Sequence, residues 1–314
     1  MADTAMNVIG PHEDGVRAAT PGYDHSWFPW SPLPGRPRLE WPGGARVAVS
    51  VVLDLGAVEW EADGPGPVPP PGGRGVGPHP DFPRMSHREY GHRVGVFRLL
   101  DILGRLGIPV AAAVDVLTVE HYGPLLAHLR GSVTEFVAAG LSASRPITSR
   151  MSEDEERHYI ASTLDRLEAR LGVRPQGWLG PERSESQRTP ALLAEAGVGY
   201  VADWCNDDQP YAMPGAGGDL WTYPLSWELA DVNAMFLHDT SAAVYGGSLE
   251  EAVEVLSGEG ATAGRALGIH LHPWVSGQPF RAGAVESALE RIRGDSRVWW
   301  APPGEVVAWS RRSA

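Results

Sequence analysis

Residues 46–61 read RVAVSVVLDLGAVEWE, and the eight from 47 to 54 are almost wholly apolar and β-branched until Asp54 ends the run. This is the pattern of a strand covered on both faces, as in a parallel α/β sheet. A carboxylate at the carboxyl end of such a strand lies where α/β folds carry their chemistry, because helices cover the sheet faces and the strand ends open into a pocket. Asp54 equally suits the capping of the turn that follows.

Beyond residue 90 the period changes. Val94, Phe97, Leu100, Leu103 and Leu106 recur at three-residue steps and Gly107 stops them, which predicts a helix. A strand over 108–114, a helix over 117–129 and a strand over 134–138 follow. Ser152 with Glu155 forms a capping box for a long helix to Leu171, with Tyr159, Ile160, Leu164 and Leu167 on its apolar face. Strands over 176–179 and 199–203 flank a helix over 190–196. Strands are then predicted over 220–225, 234–237, 267–272 and 298–301, with helices over 249–256, 284–292 and 305–311. Strand and helix alternate about seven times, the signature of a barrel or a doubly wound sheet, and the barrel is the preferred reading.

Two stretches break the alternation. Residues 1–44 are rich in Pro and Gly with little periodicity and read as an arm on the surface, which Trp27, Phe28 and Trp30 can pin down or attach to another subunit. Residues 62–84, denser still in Pro and Gly, form a long loop directly after Asp54, either a lid or a disordered insertion. With no internal repeat and no linker, residues 45–314 read as a single domain.

Composition narrows the partners. Hydrophobic residues at 43% and charged residues at 21% suit a soluble globular chain. A net charge of −13 without a basic patch excludes nucleic acid and acidic membrane surfaces. No run reaches transmembrane length and the first thirty residues lack the pattern of an export signal. One cysteine permits no internal disulfide and fits a reducing compartment, so a cytoplasmic protein with a small-molecule substrate is expected.

Polar residues recur at predicted strand ends: Asp54, Glu182 after Gly180-Pro181, Asp203 before Trp204, and His270 with His272. Alternate residues of a strand share a face, so the two histidines point the same way. A carboxylate and an imidazole in one pocket suit general base and general acid work on a carbonyl carbon. Core histidines with satisfied partners are the other reading. Asn206-Asp207-Asp208-Gln209-Pro210 is a polar loop at the same rim, either a turn or a substrate loop. Cys205 reads as an inert residue rather than a nucleophile. His87, Glu89 and His92 lack the helical spacing of a metal pair, and Glu89 equally serves a helix dipole. Trp178, Trp204, Trp221, Trp227 and Trp274 lie near predicted strand ends and suit either an apolar pocket or core packing.

The order of these motifs resembles the polysaccharide deacetylase (NodB-homology) superfamily, and within it the metal-independent allantoinase and cyclic imide hydrolase branch. Glu89-Tyr90-Gly91-His92-Arg93-Val94-Gly95 resembles the branch signature EYGxRVG, Asn206 to Tyr211 its NDDxPY, Asp231-Val232-Asn233 its DxN, and His272 to Pro279 the segment around its catalytic histidine. Trp274 and Gln278 stand where that segment usually has arginines. The likeness spans roughly residues 45–310. It implies a distorted (β/α) barrel of the NodB type, a pocket at the carboxyl ends of the strands, an assembly of several copies, and hydrolysis of a carbon–nitrogen bond in a small cyclic amide, imide or ureide.

The departures from the family pattern are specific. Leu55 stands for the family's second, metal-binding aspartate; Ala139 and Ala143 stand for its HxxxH pair; Leu179 stands for an arginine. Every family metal ligand is gone, so neither a metal nor another cofactor is expected. The resemblance implies Asp54 as base and His272 as acid, with Glu182 and Asp203 beside them. Glu59, Glu89, His92, Trp204, Asn206, Asp207, His270 and Trp274 are the expected substrate contacts. A cyclase or isomerase using the same pair, or a ligand-binding pseudoenzyme, are the alternatives.

Overall fold

The computed structural model describes residues 25–60 and 81–313. The first part of the arm and most of the predicted lid loop lie outside the described residues.

The apolar run after Arg46 is β1 (Val47–Leu55), the centre of a nine-stranded sheet. β1 pairs in parallel with β2 (Val110–Val114) on one side and β8 (Arg265–Leu271) on the other, while β9 (Val298–Trp300) takes the first part of the β2 edge. From β2 the sheet continues through β3 (Glu135–Ala138), β4 (Gly177–Trp178), β5 (Tyr200–Val201) and β7 (Trp221–Thr222), all parallel. β6 (Tyr211–Ala212) adds one antiparallel pair outside β7. Just past β7, a single parallel bridge between Leu225 and Gly268 of β8 joins the two ends, so the curled sheet closes as a distorted barrel. Glycine at 268 suits this close approach, since a Cβ would lie 2.5 Å from the Leu225 side chain and 3.0 Å from Tyr223.

Parity along the strands divides the core. Val47, Val49, Val51, Leu53 and Leu55 face the surrounding helices, whereas Ala48, Val52, Ala111, Ala113 and Ala266 fill the lumen. Each fully buried Val or Leu contributes about 1.5–3 kcal/mol, so this two-sided burial fixes the register of β1 firmly. The even positions of β1 point inward, and Asp54 is the last of them.

The helices follow the sequence pattern with instructive exceptions. The capping box at Ser152 and Glu155 opens α5 (Glu153–Leu171). The helix expected from residue 90 begins earlier, as α1 (Phe82–Tyr90), and passes through a wider π-turn over Gly91–Gly95 into α2 (Val96–Leu106). The helix expected over 117–129 is two, α3 (Val116–His121) and α4 (Gly123–Arg130), because Pro124 cannot continue a helix through its own N–H. The strand expected over 234–237 is instead part of a π-helical segment, Val232–Leu237, whose backbone bonds locally. The other predicted helices are α6 (Thr189–Glu195), α7 (Ala242–Glu259), α8 (Pro279–Arg293) and α9 (Pro303–Ser313). No helix among the described residues is long and apolar enough to cross a membrane.

The described part of the arm is tied to the barrel. Trp41 is buried and donates from its indole to the Arg265 carbonyl at 2.7 Å. Arg36 pairs with Asp207, and Phe28 packs edge-on against Trp204 and Tyr211. Trp30 stays exposed.

Candidate active site

The register pairs Val52 with His270 and Leu53 with Leu271, so one step further on Asp54 meets His272 at the carboxyl end of the lumen. Gly56 donates its backbone N–H to Asp54 Oδ1 at 2.9 Å. Asp54 Oδ2 lies 3.1 Å from His270 Nε2 and 3.6 Å from His272 Nε2. On its far side His272 donates from Nδ1 to Asp231 Oδ1 at 2.7 Å. Asp231 is fully buried and also accepts the backbone N–H of His272 and both the N–H and hydroxyl of Ser276.

His270 is held from behind by Arg183, whose guanidinium lies 3.0 Å from Nδ1 and also donates to the carbonyls of Leu225 and Ser226. Glu182 and Arg183 both adopt left-handed backbone, with φ of 53° and 57°. That costs roughly 1–2 kcal/mol per residue. Hydrogen bonds to charged groups, at about 1.5–3 kcal/mol each, offset it. The two side chains consequently diverge: Glu182 enters the cleft, while Arg183 reaches under the sheet.

Charge follows from these contacts. Burial alone would raise the Asp54 pKa, but the His270 hydrogen bond, the nearby His272 ring and the Gly56 N–H outweigh it and hold the carboxyl well below the usual carboxylate range. Burial, together with the neighbouring His272 and Arg183, pushes His270 down to about 4, so its ring is neutral. Burial also opposes charge on His272, yet Asp231, with smaller help from Asp54 and Glu182, raises it above its ordinary value.

The cleft is lined by Asp54, Gly56, Arg88, Ala139, Ala143, Gly180, Pro181, Glu182, His272 and Trp274, and its free space of about 20 Å³ suffices for one or two waters. Arg88 donates to Glu182 at 2.6 Å and stacks on Trp274 with its guanidinium 5.4 Å from the ring centre. The loop that carries Trp274 fits closely against the helix before it. A Cβ at Gly95 would fall 2.0 Å from the Pro273 carbonyl oxygen.

Four expected residues therefore line the cleft: Asp54, Glu182, His272 and Trp274. His270 touches Asp54 from below. Asp203 stands one layer back and accepts the Gly180 N–H with both oxygens, at 2.9 and 3.0 Å. Beside it, burial raises both Asp203 and Glu185, and the Asp203 charge adds to the effect on Glu185.

The remaining expected contacts have other partners. Glu59 is bound by Ser142 and Arg145 at the rim. Glu89 lies 3.8 Å from Arg93 on the helix surface. His92 is a buried core histidine, its Nε2 on the Leu55 carbonyl and the Thr118 hydroxyl and its ring stacked on Tyr122. Trp204 donates to Glu185 and packs on the arm. Asn206 accepts from the Tyr211 hydroxyl, and Asp207 binds the Gln209 N–H as well as Arg36, the turn reading of that loop. Arg88, Arg183 and Ser276 gave no signal in the sequence. Asp231 did, as the first residue of its DxN segment, though without a role.

The superfamily pattern implies a divalent ion here, and the residues do not fit one. Leu55 is packed among the helices, and Ala139 and Ala143 offer only methyl groups to the cleft. Among the described residues, Asp54, His270 and His272 have potential ligand atoms within 4.8 Å of one another. Arginine can only donate, so the Nδ1 lone pair of His270 is occupied by Arg183 and the neutral ring carries its proton on Nε2, aimed at Asp54. A protonated nitrogen is no ligand. One carboxylate and one imidazole remain, too few for a tetrahedral or octahedral site.

No protein-family model matches the chain, and no curated protein matches it. Among solved structures it is similar to PuuE allantoinase at 24% identity and a TM-score of 0.79, covering 88% of this chain and 94% of that one. It is also similar to proteins described as polysaccharide deacetylases from Mycobacterium smegmatis (26% identity, TM-score 0.74, 88% of this chain and 94% of that one) and Pseudomonas aeruginosa PAO1 (25%, 0.74, 88% and 95%). The fold is that of the NodB-type polysaccharide deacetylase superfamily, as the order of strand-end motifs leads one to expect.

Proposed function

We propose that this protein is a metal-independent hydrolase of a carbon–nitrogen bond in a small cyclic amide, imide or ureide. The carrying observation is that Asp54 and His272 lie 3.6 Å apart on the lining of a narrow cleft with complementary shifts in ionisation. Asp54 is held ionised and His272 is shifted toward the imidazolium relative to an ordinary histidine, the directions that suit a general base and a general acid. Similarity to an allantoinase and to proteins described as polysaccharide deacetylases supports the reaction class.

In this reading a water in the cleft beside the two side chains gives its proton to Asp54 Oδ2 as its oxygen attacks the carbonyl carbon. His272 Nε2–H then protonates the departing nitrogen, while Asp231 keeps the ring's other proton in place. The tetrahedral oxyanion needs a donor. Arg88 is the guanidinium among the cleft residues and supplies it, with Glu182 fixing it from one side and the Trp274 ring backing it from another. The methyl groups of Ala139 and Ala143 close the opposite wall and favour a compact substrate.

The test is turnover of a panel of lactams, cyclic imides and ureides by the purified chain. Wild type is expected to open at least one ring at a rate unaffected by chelators. Asp54→Asn and His272→Ala are each expected to slow it by about 10³-fold or more. A wild-type protein that binds panel members yet opens none would overturn the proposal.

A further inference from the structure

The half-buried Arg183 and the buried His270 sit beside the cleft without lining it, and the mechanism above assigns them no chemistry. We infer that Arg183 is a positioning residue that locks His270 in its Nε2–H form, so that the imidazole serves as a hydrogen-bond donor to Asp54 and cannot bind a metal ion. The inference goes beyond the hydrolase proposal and does not depend on turnover.

Three observations carry it. The first is direction: Arg183 has only N–H groups to offer, and one lies 3.0 Å from Nδ1. The second is closure, since His270 is 3% exposed and its two nitrogens are both engaged, Nδ1 by Arg183 and Nε2 by Asp54. The third is the backbone. Arg183 sits in a left-handed conformation next to a left-handed Glu182, and its guanidinium is pinned by the carbonyls of Leu225 and Ser226 as well as by the ring. A lysine, with one flexible ammonium, would not span three acceptors in fixed directions.

The lock has a consequence for metal binding. Asp54 Oδ2 and the facing nitrogens of His270 and His272 are grouped like two-histidine, one-carboxylate ligands, and what keeps His270 out of such a set is its proton. With Arg183 gone, the ring is able to carry its proton on Nδ1 and turn a lone pair toward the cleft. The arginine thereby stands in for the family ion as the positive charge behind Asp54, acting through the ring instead of touching the carboxylate.

Two measurements on the full chain test this. Long-range proton–nitrogen correlation spectra at pH 7, with His270 assigned by its loss in His270→Asn, are expected to show a neutral ring protonated on Nε2. A ring protonated on Nδ1, or on both nitrogens, would overturn the inference. Calorimetric titration with Zn²⁺, using Asp54→Ala to subtract surface sites, is expected to detect no cleft binding in wild type and a gain of roughly tenfold or more in Arg183→Met. Stoichiometric wild-type binding that Asp54→Ala abolishes would also overturn it, as would a folded Arg183→Met that gains nothing. Should Arg183→Met not fold, the spectra on wild type decide.

Discussion

Two concavities of this molecule differ in nearly every respect. The cleft at the strand ends is tight, and Asp54, Arg88, Glu182 and His272 converge on it. The groove between the arm and the 206–214 loop is far larger, about 700 Å³, and is lined mainly by Phe28, Trp30, Leu33, Pro210, Tyr211 and Trp221. Of its four charged residues, Arg36, Arg38, Asp207 and Asp208, Arg36 and Asp207 neutralise each other at 2.5 Å. Size alone would select the groove; converging groups with shifted ionisation select the cleft. The difference teaches that chemistry here follows strand parity, which delivers side chains to the barrel mouth, whereas the loops seal an edge.

The contrast is sharpest at Asp231. Asp231→Asn is expected to lower kcat about 10³-fold, because the ring loses both its orienting acceptor and the charge that favours its proton. It should also change the pH profile. With His272 as the proposed acid, activity should hold below its raised pKa and fall as pH rises through it; removing Asp231 should move that alkaline limb to lower pH. The acid limb is expected to follow Asp54, the proposed base, whose lowered pKa keeps it ionised until pH falls well below the usual carboxylate range. An unshifted alkaline limb in kcat/KM would detach His272 from the acid role.

A smaller effect is expected at Arg88. Arg88→Met should cost about 10²-fold in kcat, the scale of one oxyanion donor, and reduce stability by about 1 kcal/mol through loss of its partly buried ion pair with Glu182. A loss confined to KM would make Arg88 a substrate clamp instead. Smallest is the groove: Arg36→Met should leave kcat within about twofold and reduce stability by about 1 kcal/mol in denaturant titration, since it removes one partly buried ion pair. A large loss of activity there would erase the distinction between the two concavities.

Much of this was legible in the chain because period-two parity is a local property. The run from Val47 to Asp54 reads as a two-sided strand, and the spacing of His270 and His272 sets both on the lumen side once β8 pairs with β1. Contacts that depend on how distant segments pack were not legible. Arg88 and Arg183 meet partners 94 and 87 residues away. Nothing in Pro181-Glu182-Arg183 announces that two non-glycine residues turn left-handed. The same limit explains the displaced candidates. His92 and Asn206 carry the right functional groups, but the Leu55 carbonyl and the Tyr211 hydroxyl reach them first. The segment 234–237 reads as a strand by composition, and its π-helical path is set by docking around Asp231 and Asn233, which spacing cannot reveal.

The barrel wall is held at its last joint by one backbone bridge, Leu225 to Gly268, and the guanidinium of Arg183 clasps the carbonyls of Leu225 and Ser226 beside it. The same side chain is therefore rivet and rudder: it fastens the wall and steers the imidazole behind the base. A substitution of Arg183 is therefore expected to loosen the wall and release the imidazole in one step.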